Sequence, residues 1–420
     1  METVTFIDLF AGLGGIRIGF EEALKNKGFL PKCLLTSEIK DYAVKVYENH
    51  FHEKNIQGDI TQIKTSDIPD FDFLLAGFPC QPFSSAGKGR GFDDTRGTMF
   101  FQIERILKEK KDVGKMPKGF ILENVDALVT HDHGNTYKVI VDHLQKLGYT
   151  LSCKVLDSKD FGLAQSRKRI YIIGLIDKKI DLDSFPKSSA VLGDILTYGQ
   201  PVENSKFTKK LLENYSLNEL PGKSIKDKRG GTNNIHSWDL EIKGSVSKQE
   251  KELLNQLLKE RRKKKWAEEI GIKWMDGMPL TEQQISTFYK NANLKEMLDD
   301  LTKKGYLVYE YPKKLENKIR VPDTTKPKGY NIVAGKLSFE FSKILDPAKI
   351  APTLVAMDAT KLAVIDGEGI RKLTINESQK LFGYDDSYDL SLIKENEAYD
   401  LLGNTVCVPV IEKISEKIFA

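Results

Sequence analysis

Residues 4–15 read VTFIDLFAGLGG, an apolar run that leads directly into a glycine-rich turn. A short run rich in β-branched and aromatic residues predicts a strand. The residues that follow, 16–24, carry apolar side chains at helical spacing, so the glycines lie at a strand-to-helix turn. Glycines at such a turn allow the backbone to approach a ligand closely. This segment therefore predicts the first strand, the ligand-binding loop and the first helix of an α/β fold.

The alternation of strands and helices continues to about residue 185. Four further apolar runs predict strands at residues 33–36, 73–76, 119–122 and 169–174, and residues 99–107 have helical spacing. Strands that alternate with helices are typical of a doubly wound, mostly parallel sheet. In such a sheet, ligands bind at the carboxyl ends of the strands. We therefore expect the functional residues to lie at strand ends.

The glycine loop favours an adenosine ligand over a dinucleotide. The dinucleotide fingerprint requires glycine or alanine three residues after its second glycine, and Arg17 occupies that position. Glu38, after the second predicted strand, is the expected partner of ribose hydroxyls, and Asp59 and Ile60 could hold an adenine. By itself, the loop could also be only a tight turn. The loop residues expected to contact the ligand are Phe10, Ala11, Gly12, Leu13, Gly14 and Gly15.

A cysteine follows the third predicted strand, in the sequence GFPCQPFS at residues 77–84. Because Cys80 lies in a loop at a strand end, it is placed to react, although a free cysteine is commonly a small buried hydrophobe. Glu123 and Arg167 also lie at predicted strand ends, where they could instead be a helix cap and a surface charge. A nucleophile, an acid and a cation that converge beside an adenosine-binding loop predict an active site.

Length and composition limit the class of protein. The chain has 420 residues, enough for two domains, and its 64 basic and 60 acidic residues give a net charge of only +4. A nucleic-acid surface would therefore require local clustering of charge. The four cysteines form no CxxC pair, which excludes a zinc ribbon or a dense disulfide scaffold and favours a reducing compartment. No signal peptide or membrane span is evident, and we expect a cytoplasmic protein without membrane contacts.

The middle of the chain differs in composition from both ends. Between about residues 190 and 345 lysine is abundant and all three tryptophans occur, which predicts a second, smaller domain with the tryptophans in its core. The basic run at residues 261–265 could be either a solvated helix face or a DNA contact. Residues 131–133, His-Asp-His, have no further ligand pair at metal-binding spacing, so no metal site is expected. Two helices are predicted after residue 345, one ended by Gly383 and one at residues 406–418.

The order of these motifs resembles that of the DNA (cytosine-5)-methyltransferases, in particular the single-chain bacterial type. The family's motifs are matched, in the same order, by residues 6–15, 38, 58–60, 77–84, 97–98, 123–125, 165–169, 371–384 and 403–406. The match covers roughly residues 1–180 and 350–420, with a long variable region between them. Many separated motifs in the correct order make this resemblance specific.

The resemblance implies two domains. Residues 1–190 and 395–420 would form a Rossmann-like methyltransferase domain that binds the cofactor and performs catalysis. Residues 191–394 would form the smaller DNA-recognition domain. Within it, residues 200–345 would recognise the target sequence and the motif at residues 371–384 would support them.

The resemblance also implies the reaction. The family transfers a methyl group from S-adenosylmethionine to carbon-5 of a cytosine that is flipped out of double-stranded DNA. Cys80 would add to carbon-6, Arg167 would favour its thiolate, and Glu123 would hold or donate a proton at nitrogen-3. Asn124 would orient this pair and Arg169 would support the loop. The other residues carried over by motif are Gln165 in the catalytic set and Ile39, Gly77, Pro79, Asn404 and Val406 at the cofactor.

The segment after the cysteine, residues 84–91, is rich in glycine and basic residues. It predicts a mobile lid that closes over the flipped base and contacts phosphates, with an ordinary surface loop as the alternative. The residues expected to contact DNA are Ser84, Ser85, Lys88 and Arg90. By resemblance only, we expect a monomer with a companion restriction endonuclease.

The chain departs from the family pattern in the last third of the sequence. Lys380 replaces a common arginine, Asp385 replaces a common proline, and Leu401-Leu402 stand where a polar or aromatic residue is frequent. These positions concern the support of the DNA-reading domain and leave the catalytic set intact.

Three other functions remain open on sequence grounds. A tRNA cytosine-5 methyltransferase would usually have Pro-Pro-Cys and a compact variable region, whereas this chain has Phe78-Pro79-Cys80 and a long one. A non-catalytic DNA-binding regulator is disfavoured because Cys80, Glu123 and Arg167 are all intact. A nicotinamide oxidoreductase is disfavoured by Arg17 in the glycine loop.

Overall fold

A computed structural model describes residues 1–79, 99–228, 230–316, 319–333, 339–356 and 359–420. The chain divides into two compact units. The first unit comprises Met1–Thr197, Pro347–Thr360 and Leu373–Ala420, and the second comprises Tyr198–Asp346 and Lys361–Lys372. Among the described residues, no helix is both long and apolar enough to cross a membrane.

The first unit is built on a six-stranded sheet. Its strands are β1 (Thr3–Leu9), β2 (Leu30–Ser37), β3 (Phe73–Gly77), β4 (Gly119–Val125), β5 (Thr150–Asp157) and β6 (Lys168–Leu175). Their order across the sheet is β2-β1-β3-β4-β6-β5. The pairs among β1 to β4 are parallel, whereas β6 runs antiparallel to both β4 and β5. The prediction of a mostly parallel α/β sheet is therefore confirmed.

Helices lie around this sheet. Those of the first unit are α1 (Gly15–Asn26), α2 (Asp41–Phe51), α3 (Met99–Asp112), α4 (Asn135–Lys146), α10 (Ile375–Lys380), α11 (Glu395–Asn404) and α12 (Val408–Ile418), numbered along the whole chain. Apolar side chains of α3 and α4 join those of the sheet in one buried core, which includes Leu74, Phe100 and Ile140. Helices α1 and α12 pack together so closely that a Cβ at Gly19 would lie 2.7 Å from the carbonyl oxygen of Val408.

The antiparallel direction of β6 places two predicted site segments side by side. Residues 123–125 end β4 and residues 165–169 lead into β6, and Val125 pairs with Arg169. Because β6 enters the sheet at the edge where β4 leaves it, both segments lie at the carboxyl edge of the parallel strands. In an all-parallel sheet the start of β6 would lie at the opposite edge.

The second unit contains helices, a small sheet and a long hairpin. Its helices are α5 (Lys206–Asn214), α6 (Lys248–Glu260), α7 (Lys265–Glu269), α8 (Glu282–Ser286) and α9 (Leu294–Lys303). Its five-stranded sheet has the order β15-β14-β13-β7-β8. These strands are β7 (Ser224–Ile225), β8 (Asn234–Ile235), β13 (Lys343–Ile344), β14 (Leu362–Asp366) and β15 (Gly369–Lys372). The hairpin pairs β9 (Leu307–Glu310) with β12 (Gly329–Ile332) and β10 (Lys313–Glu316) with β11 (Ile319–Pro322).

The two compact units differ from the predicted domains at their boundaries. Residues 191–197, 347–360 and 373–394 belong to the first unit, although the sequence placed them in the smaller domain. Tyr388 explains part of the difference, because its hydroxyl donates to the carbonyl oxygen of Leu13 over 2.5 Å. The motif at residues 371–384 is thus divided, since Arg371 and Lys372 end β15 in the second unit.

Two expectations about the second unit require correction. Trp238 and Trp266 are buried in its core, but Trp274 is 41% exposed, so not all three tryptophans are core residues. The basic run is not a single solvated helix face, because α6 ends at Glu260 and Arg261 is buried. Arg261 Nη1 donates to Asn331 Oδ1 over 2.6 Å, which fixes the end of α6 to β12.

Candidate active site

A cavity of about 590 Å³ lies within the first unit, at the carboxyl edge of β1 to β4. This volume is in the usual range for a small-molecule site. Nearly all the residues predicted to bind the cofactor line it, namely Phe10, Ala11, Gly12, Leu13, Gly15, Glu38, Ile39, Asp59, Ile60, Gly77, Pro79, Asn404 and Val406. Gly14 is the exception. Four residues of the predicted catalytic set also line the cavity: Glu123, Asn124, Arg167 and Arg169.

The glycine loop adopts a conformation that its sequence makes possible. Phe10, Gly12 and Gly14 all have positive φ, of 56°, 54° and 70°. Glycine occupies this region without the steric penalty of a Cβ. A Cβ at Gly14 would also lie 2.4 Å from the ring of Phe51. Gly14 therefore packs against Phe51 and does not line the cavity.

Glu38 holds the loop in place as well as lining the cavity. Its Oε2 accepts a hydrogen bond from the Gly12 amide over 2.8 Å, and its Oε1 accepts from the amides of Ile39 and Lys40. A carboxylate offers about four acceptor positions, so these three bonds leave capacity for a ligand hydroxyl. Glu38 can thus join the loop and a ligand in one network.

The opposite wall is formed after β2. Asp59 Oδ1 accepts from the Thr61 amide over 2.9 Å and thereby begins a short helical turn. Ser37 Oγ donates to the carbonyl oxygen of Gly58 over 2.6 Å, which fixes this turn against the end of β2. Ile39, 71% exposed, lies on the same cavity and could cover the face of a flat ring.

Arg17, which replaces the third glycine of a dinucleotide fingerprint, is buried behind the loop. Its guanidinium lies 2.7 Å from Glu21 and 3.0 Å from Glu53, and it stacks 4.0 Å from the ring centre of Phe51. Its Nη1 also donates to the hydroxyl of Tyr47 over 3.1 Å. The position where a pyrophosphate would require a small residue is therefore filled by a paired cation.

Asp8 is a cavity residue that the sequence analysis missed. It is a buried carboxylate near the end of β1, and it accepts a hydrogen bond from the Tyr47 hydroxyl over 2.9 Å. Burial raises the pKa of Asp8 to about 7, although the bond from Tyr47 and the charge of Arg17 lower it. A polar residue inside an otherwise apolar predicted strand was the signal that could have identified it.

Glu123 ends β4 and is buried on the cavity wall. Burial raises its pKa, and the nearby charges of Arg169 and Arg167 oppose this rise. Arg169 Nε lies 3.1 Å from Glu123 Oε1, but Oε1 receives no well-directed hydrogen bond from any described residue. A buried acceptor without a donor is unfavourable and is typical of a functional site. Glu123 is therefore placed to exchange a hydrogen bond with a ligand.

Asn124 fixes the segment that leads to the cysteine. Its Nδ2 donates to the carbonyl oxygen of Phe78 over 2.9 Å, and its Oδ1 accepts from the amide of Val125. Phe78 is two residues before Cys80 in the sequence. Cys80 itself lies outside the described residues, as do the predicted lid and the DNA contacts Ser84, Ser85, Lys88 and Arg90.

Arg167 is almost fully buried and holds three backbone carbonyls. Its Nη1 donates to Leu354, and its Nη2 donates to Gly403 and Thr405, all within 3.0 Å. Its Nε has no acceptor among the described residues. Burial lowers the pKa of this guanidinium, and the charge of Arg169 adds to the effect. Arg167 thus binds the segment at residues 403–405 to the sheet while lining the cavity.

Gln165 has a different position from the rest of the predicted catalytic set. It is fully buried, its Nε2 donates to the carbonyl oxygen of Leu381, and its Oε1 accepts from the amide of Leu354. It joins three chain segments and does not line the cavity. The sequence could not separate it from Arg167, because both belong to one short motif.

The segment at residues 403–406 closes the cavity. A Cβ at Gly403 would lie 2.1 Å from the backbone nitrogen of Ala356, so only glycine fits there. Thr405 Oγ1 and the Tyr384 hydroxyl are 2.5 Å apart, so a hydrogen bond joins this segment to the end of the motif at residues 371–384. Leu401 and Leu402, which depart from the family pattern, are buried, and Leu401 lines the cavity.

The other three cysteines are poor nucleophiles. Burial raises the pKa of Cys33 to about 12 and that of Cys407 to about 11, and it also raises the pKa of Cys153. A cysteine reacts as its thiolate, so these three thiols stay largely unreactive at neutral pH. Within the described ranges, no group of three or more histidine, cysteine or carboxylate side chains could hold a metal ion.

Comparisons with known proteins show the family to which this sequence is similar. The model of the C-5 cytosine-specific DNA methylase family matches residues 4–420. The Type II methyltransferase M.NlaIV of Neisseria lactamica is 57% identical over 425 residues, which cover 100% of this chain and 99% of that protein. The Type II methyltransferase M.BanI of Aneurinibacillus aneurinilyticus is 43% identical over 443 residues, 99% of this chain and 96% of that protein.

A solved structure supports the fold. The methyltransferase EhMeth of Entamoeba histolytica aligns with a TM-score of 0.54 and covers 100% of this chain and 98% of its own. Its sequence is only 16% identical, so this likeness concerns the fold alone.

Proposed function

This chain belongs to the C-5 cytosine-specific DNA methylase family, and we propose that it methylates carbon-5 of cytosine in a specific short sequence of double-stranded DNA. The observation that carries this proposal is the position of Glu123. A buried carboxyl with a raised pKa lies on the cavity wall, beside the strand end that leads to Cys80. The proposed methyl donor is S-adenosylmethionine.

The cavity fits this cofactor. Glu38 and Asp59 supply acceptors on two walls, suited to the ribose hydroxyls and the adenine amino group. The turn at Gly12 brings the backbone close to the ligand, and Ile39 and Ile60 supply apolar surface for the adenine. When bound there, S-adenosylmethionine supplies an electrophilic methyl group.

Cys80 is the proposed nucleophile. Carbon-5 of cytosine belongs to an aromatic ring and is a poor nucleophile until a thiolate adds at carbon-6. An ordinary cysteine, with a pKa near 8.5, is only about a few per cent thiolate at neutral pH. Asn124 would fix the approach to Cys80 through the Phe78 carbonyl, and the charge of Arg167 would favour the thiolate.

Glu123 is the proposed acid. Burial raises the pKa of Glu123, which favours the protonated carboxyl that would donate to nitrogen-3 of cytosine. Protonation at nitrogen-3 neutralises the charge that enters the ring when the thiolate adds, and carbon-5 then has the character of an enamine. After methylation, a water molecule accepts the carbon-5 proton, and the bond between carbon-6 and the Cys80 sulfur breaks, which releases the thiolate and restores the aromatic ring. Glu123 regains its proton from nitrogen-3 in the same step.

The target base must leave the DNA helix for this chemistry. Carbon-6 is inaccessible in a stacked duplex, and extrusion of the base costs roughly a few kcal/mol. We infer from the named relatives that the protein belongs to a restriction-modification system, in which its methylation protects DNA from a companion endonuclease. The same comparisons give no support to a tRNA substrate or to a non-catalytic regulator.

Trapping of the covalent intermediate tests this function. Duplex DNA with 5-fluorocytosine at the target should form a stable adduct, because fluorine cannot leave as a proton does. The adduct should require S-adenosylmethionine and should be absent from Cys80→Ser, which should still bind the cofactor. Cys153→Ser is the matched control and should form the adduct normally.

Two results would contradict the assignment. One is an adduct that peptide mass spectrometry places on Cys33, Cys153 or Cys407. The other is a Cys80→Ser variant that keeps more than about a tenth of wild-type turnover, since a covalent step contributes far more than tenfold. Transfer of labelled methyl groups to tRNA and not to duplex DNA would reject the proposed substrate.

A further inference from the structure

The second unit carries a long two-stranded hairpin between Leu307 and Ile332. Its base is the ladder of β9 and β12, where Leu307, Tyr330 and Ile332 are buried in the core. The chain then continues outward as a second ladder, β10 with β11, and the Asp323 amide donates to the Pro312 carbonyl between the two. We call the described residues 311–316 and 319–328 the arm.

The outer ladder of the arm has no buried face. Of its eight side chains, seven are exposed and Val321 is half-buried, and the large apolar residues Leu315 and Ile319 are 59% and 66% exposed. No third strand pairs with β10 or β11 among the described strands. An isolated two-stranded ladder is only marginally stable in water. Apolar side chains displayed on such a projection indicate a surface that another molecule covers.

The arm carries a net positive charge. Its described residues include five basic and two acidic side chains, a net charge of +3. Its partner should therefore be a polyanion. Near the base of the arm, Lys328 Nζ lies 4.8 Å from the ring centre of Tyr311, which adds a cation beside an aromatic side chain.

The two faces of the outer ladder differ in their charges. Directly opposed residues share a face, as do residues two apart, so the pairs Lys313–Pro322 and Leu315–Arg320 form one face. The described residues offer no ion-pair partner to Lys313 or Arg320. On the other face Lys314 Nζ lies 2.8 Å from Glu316 Oε1, so that lysine is already neutralised. We call the face with Lys313, Leu315 and Arg320 the basic face.

We propose that the arm is the DNA-reading element of this protein and enters the major groove with its basic face toward the bases. The major groove of B-DNA is about 12 Å wide and admits a two-stranded β-ribbon. Arg320 is suited to bidentate contact with guanine, and Leu315 to apolar contact with a thymine methyl group. Lys313 contacts a phosphate and sets the position of the ribbon. This inference rests on the proposed function and names the element that selects the methylated sequence.

Single substitutions on the two faces test the proposal. Arg320→Ala should lower kcat/KM on cognate duplex DNA by about 5- to 150-fold and relax the preference at one base position. Lys313→Ala should weaken binding to all sequences alike and reduce the slope of log affinity against log salt by about 1. Lys314→Ala, on the opposite face of the same strand, is the matched control and should stay within about twofold of wild type.

Two further measurements separate the possible failures. S-adenosylmethionine affinity and thermal stability should be the same in all three variants, because the side chains of Lys313, Lys314 and Arg320 are all exposed. If the wild-type protein transfers no methyl group to DNA, the proposed function fails. If it does, but Arg320→Ala and Lys313→Ala retain its rate and sequence preference, the inference about the arm is overturned. A change of sedimentation behaviour without a change in DNA selection would equally overturn it, since the arm would then be a contact between protein chains.

Discussion

Asp8 and Glu123 are both buried carboxyl groups on the wall of one cavity, and burial raises the pKa of each. Their surroundings differ in a way that separates their roles. Asp8 accepts a hydrogen bond from Tyr47, so it belongs to the network that supports the glycine loop. Glu123 Oε1 has no such donor among the described residues and remains available to a ligand. Asp8 therefore supports the loop, whereas Glu123 is the carboxyl group that we propose for the chemistry.

The pKa of Asp8 predicts a pH-dependent stability of the first unit. Its value of about 7 in the folded chain lies above the ordinary value of 3.8. The folded state therefore binds this proton more tightly than the unfolded state does. Its contribution to the free energy of unfolding is complete below about pH 4 and is lost as pH rises through about 7. The full loss is about 4 kcal/mol at most.

Asp8→Asn should remove this dependence. The variant keeps an acceptor for the Tyr47 hydroxyl but has no carboxyl to ionise, so its stability relative to wild type should increase between pH 5 and pH 8. Hydrogen exchange of the β1 amides, measured across this range, reports the first unit directly. Parallel pH dependence in the two proteins would contradict the prediction.

At the scale of elements, the sequence predicted most of the site but not the reason for its geometry. Continuous apolar runs identified β1, β2, β3, β4 and β6, whereas β5, a strand at the sheet edge, was missed because polar and charged residues interrupt its sequence, TLSCKVLD. The meeting of Glu123 with Arg167 depends on the antiparallel direction of β6, which strand patterns alone do not reveal. The position of Gln165 outside the cavity could not be predicted for a similar reason, since its buried contacts come from Leu354 and Leu381, far away in the chain.

One ion pair between elements should influence cofactor binding. Asp400, in α11, lies 2.6 Å from Lys40 Nζ and accepts from the Tyr42 hydroxyl, and Lys40 lines the cavity. Both charged side chains are about one-third exposed, so the pair is worth no more than about 1 kcal/mol. Asp400→Asn should therefore raise the Kd for S-adenosylmethionine by about fivefold at most, with a smaller effect at high salt.

A matched surface pair provides the control for this prediction. Asp386 lies 3.2 Å from Lys380 Nζ and is 70% exposed, and neither residue lines the cavity. Asp386→Asn should leave the Kd unchanged when both variants are titrated with the cofactor by calorimetry. A lower kcat for Asp400→Asn at saturating cofactor, with an unchanged Kd, would show that the pair acts on the chemical step instead.

For the whole molecule, the chain path explains why the predicted domain boundaries differ from the compact units. The chain passes between the two units four times, and the short segment Lys361–Lys372 returns to the second unit alone. That segment supplies β14 and β15, and β14 pairs with β13 from the main part of the unit. Composition distinguishes long stretches of sequence, so it could not identify a return of this length.

This arrangement determines how an exchange of sequence specificity should be made. We predict that both Tyr198–Asp346 and Lys361–Lys372 must be replaced together by the corresponding segments of a family member with a different target. Such a chimera should keep the cavity and the proposed catalytic residues, all of which belong to the first unit, and should methylate the donor's sequence. Replacing Tyr198–Asp346 alone should yield an unstable protein, because β13 of the donor would pair with the original β14.

Sequencing of methylated cytosines in DNA from cells that express each chimera measures the outcome. The methylated sequence should change because the exchanged segments contain both the arm and the core that holds its base. Steep salt dependence of DNA binding should move with them, because the clustered charge of the arm lies in the exchanged segment. A double-segment chimera that folds, transfers methyl groups and still modifies the original sequence would show that the first unit selects the target.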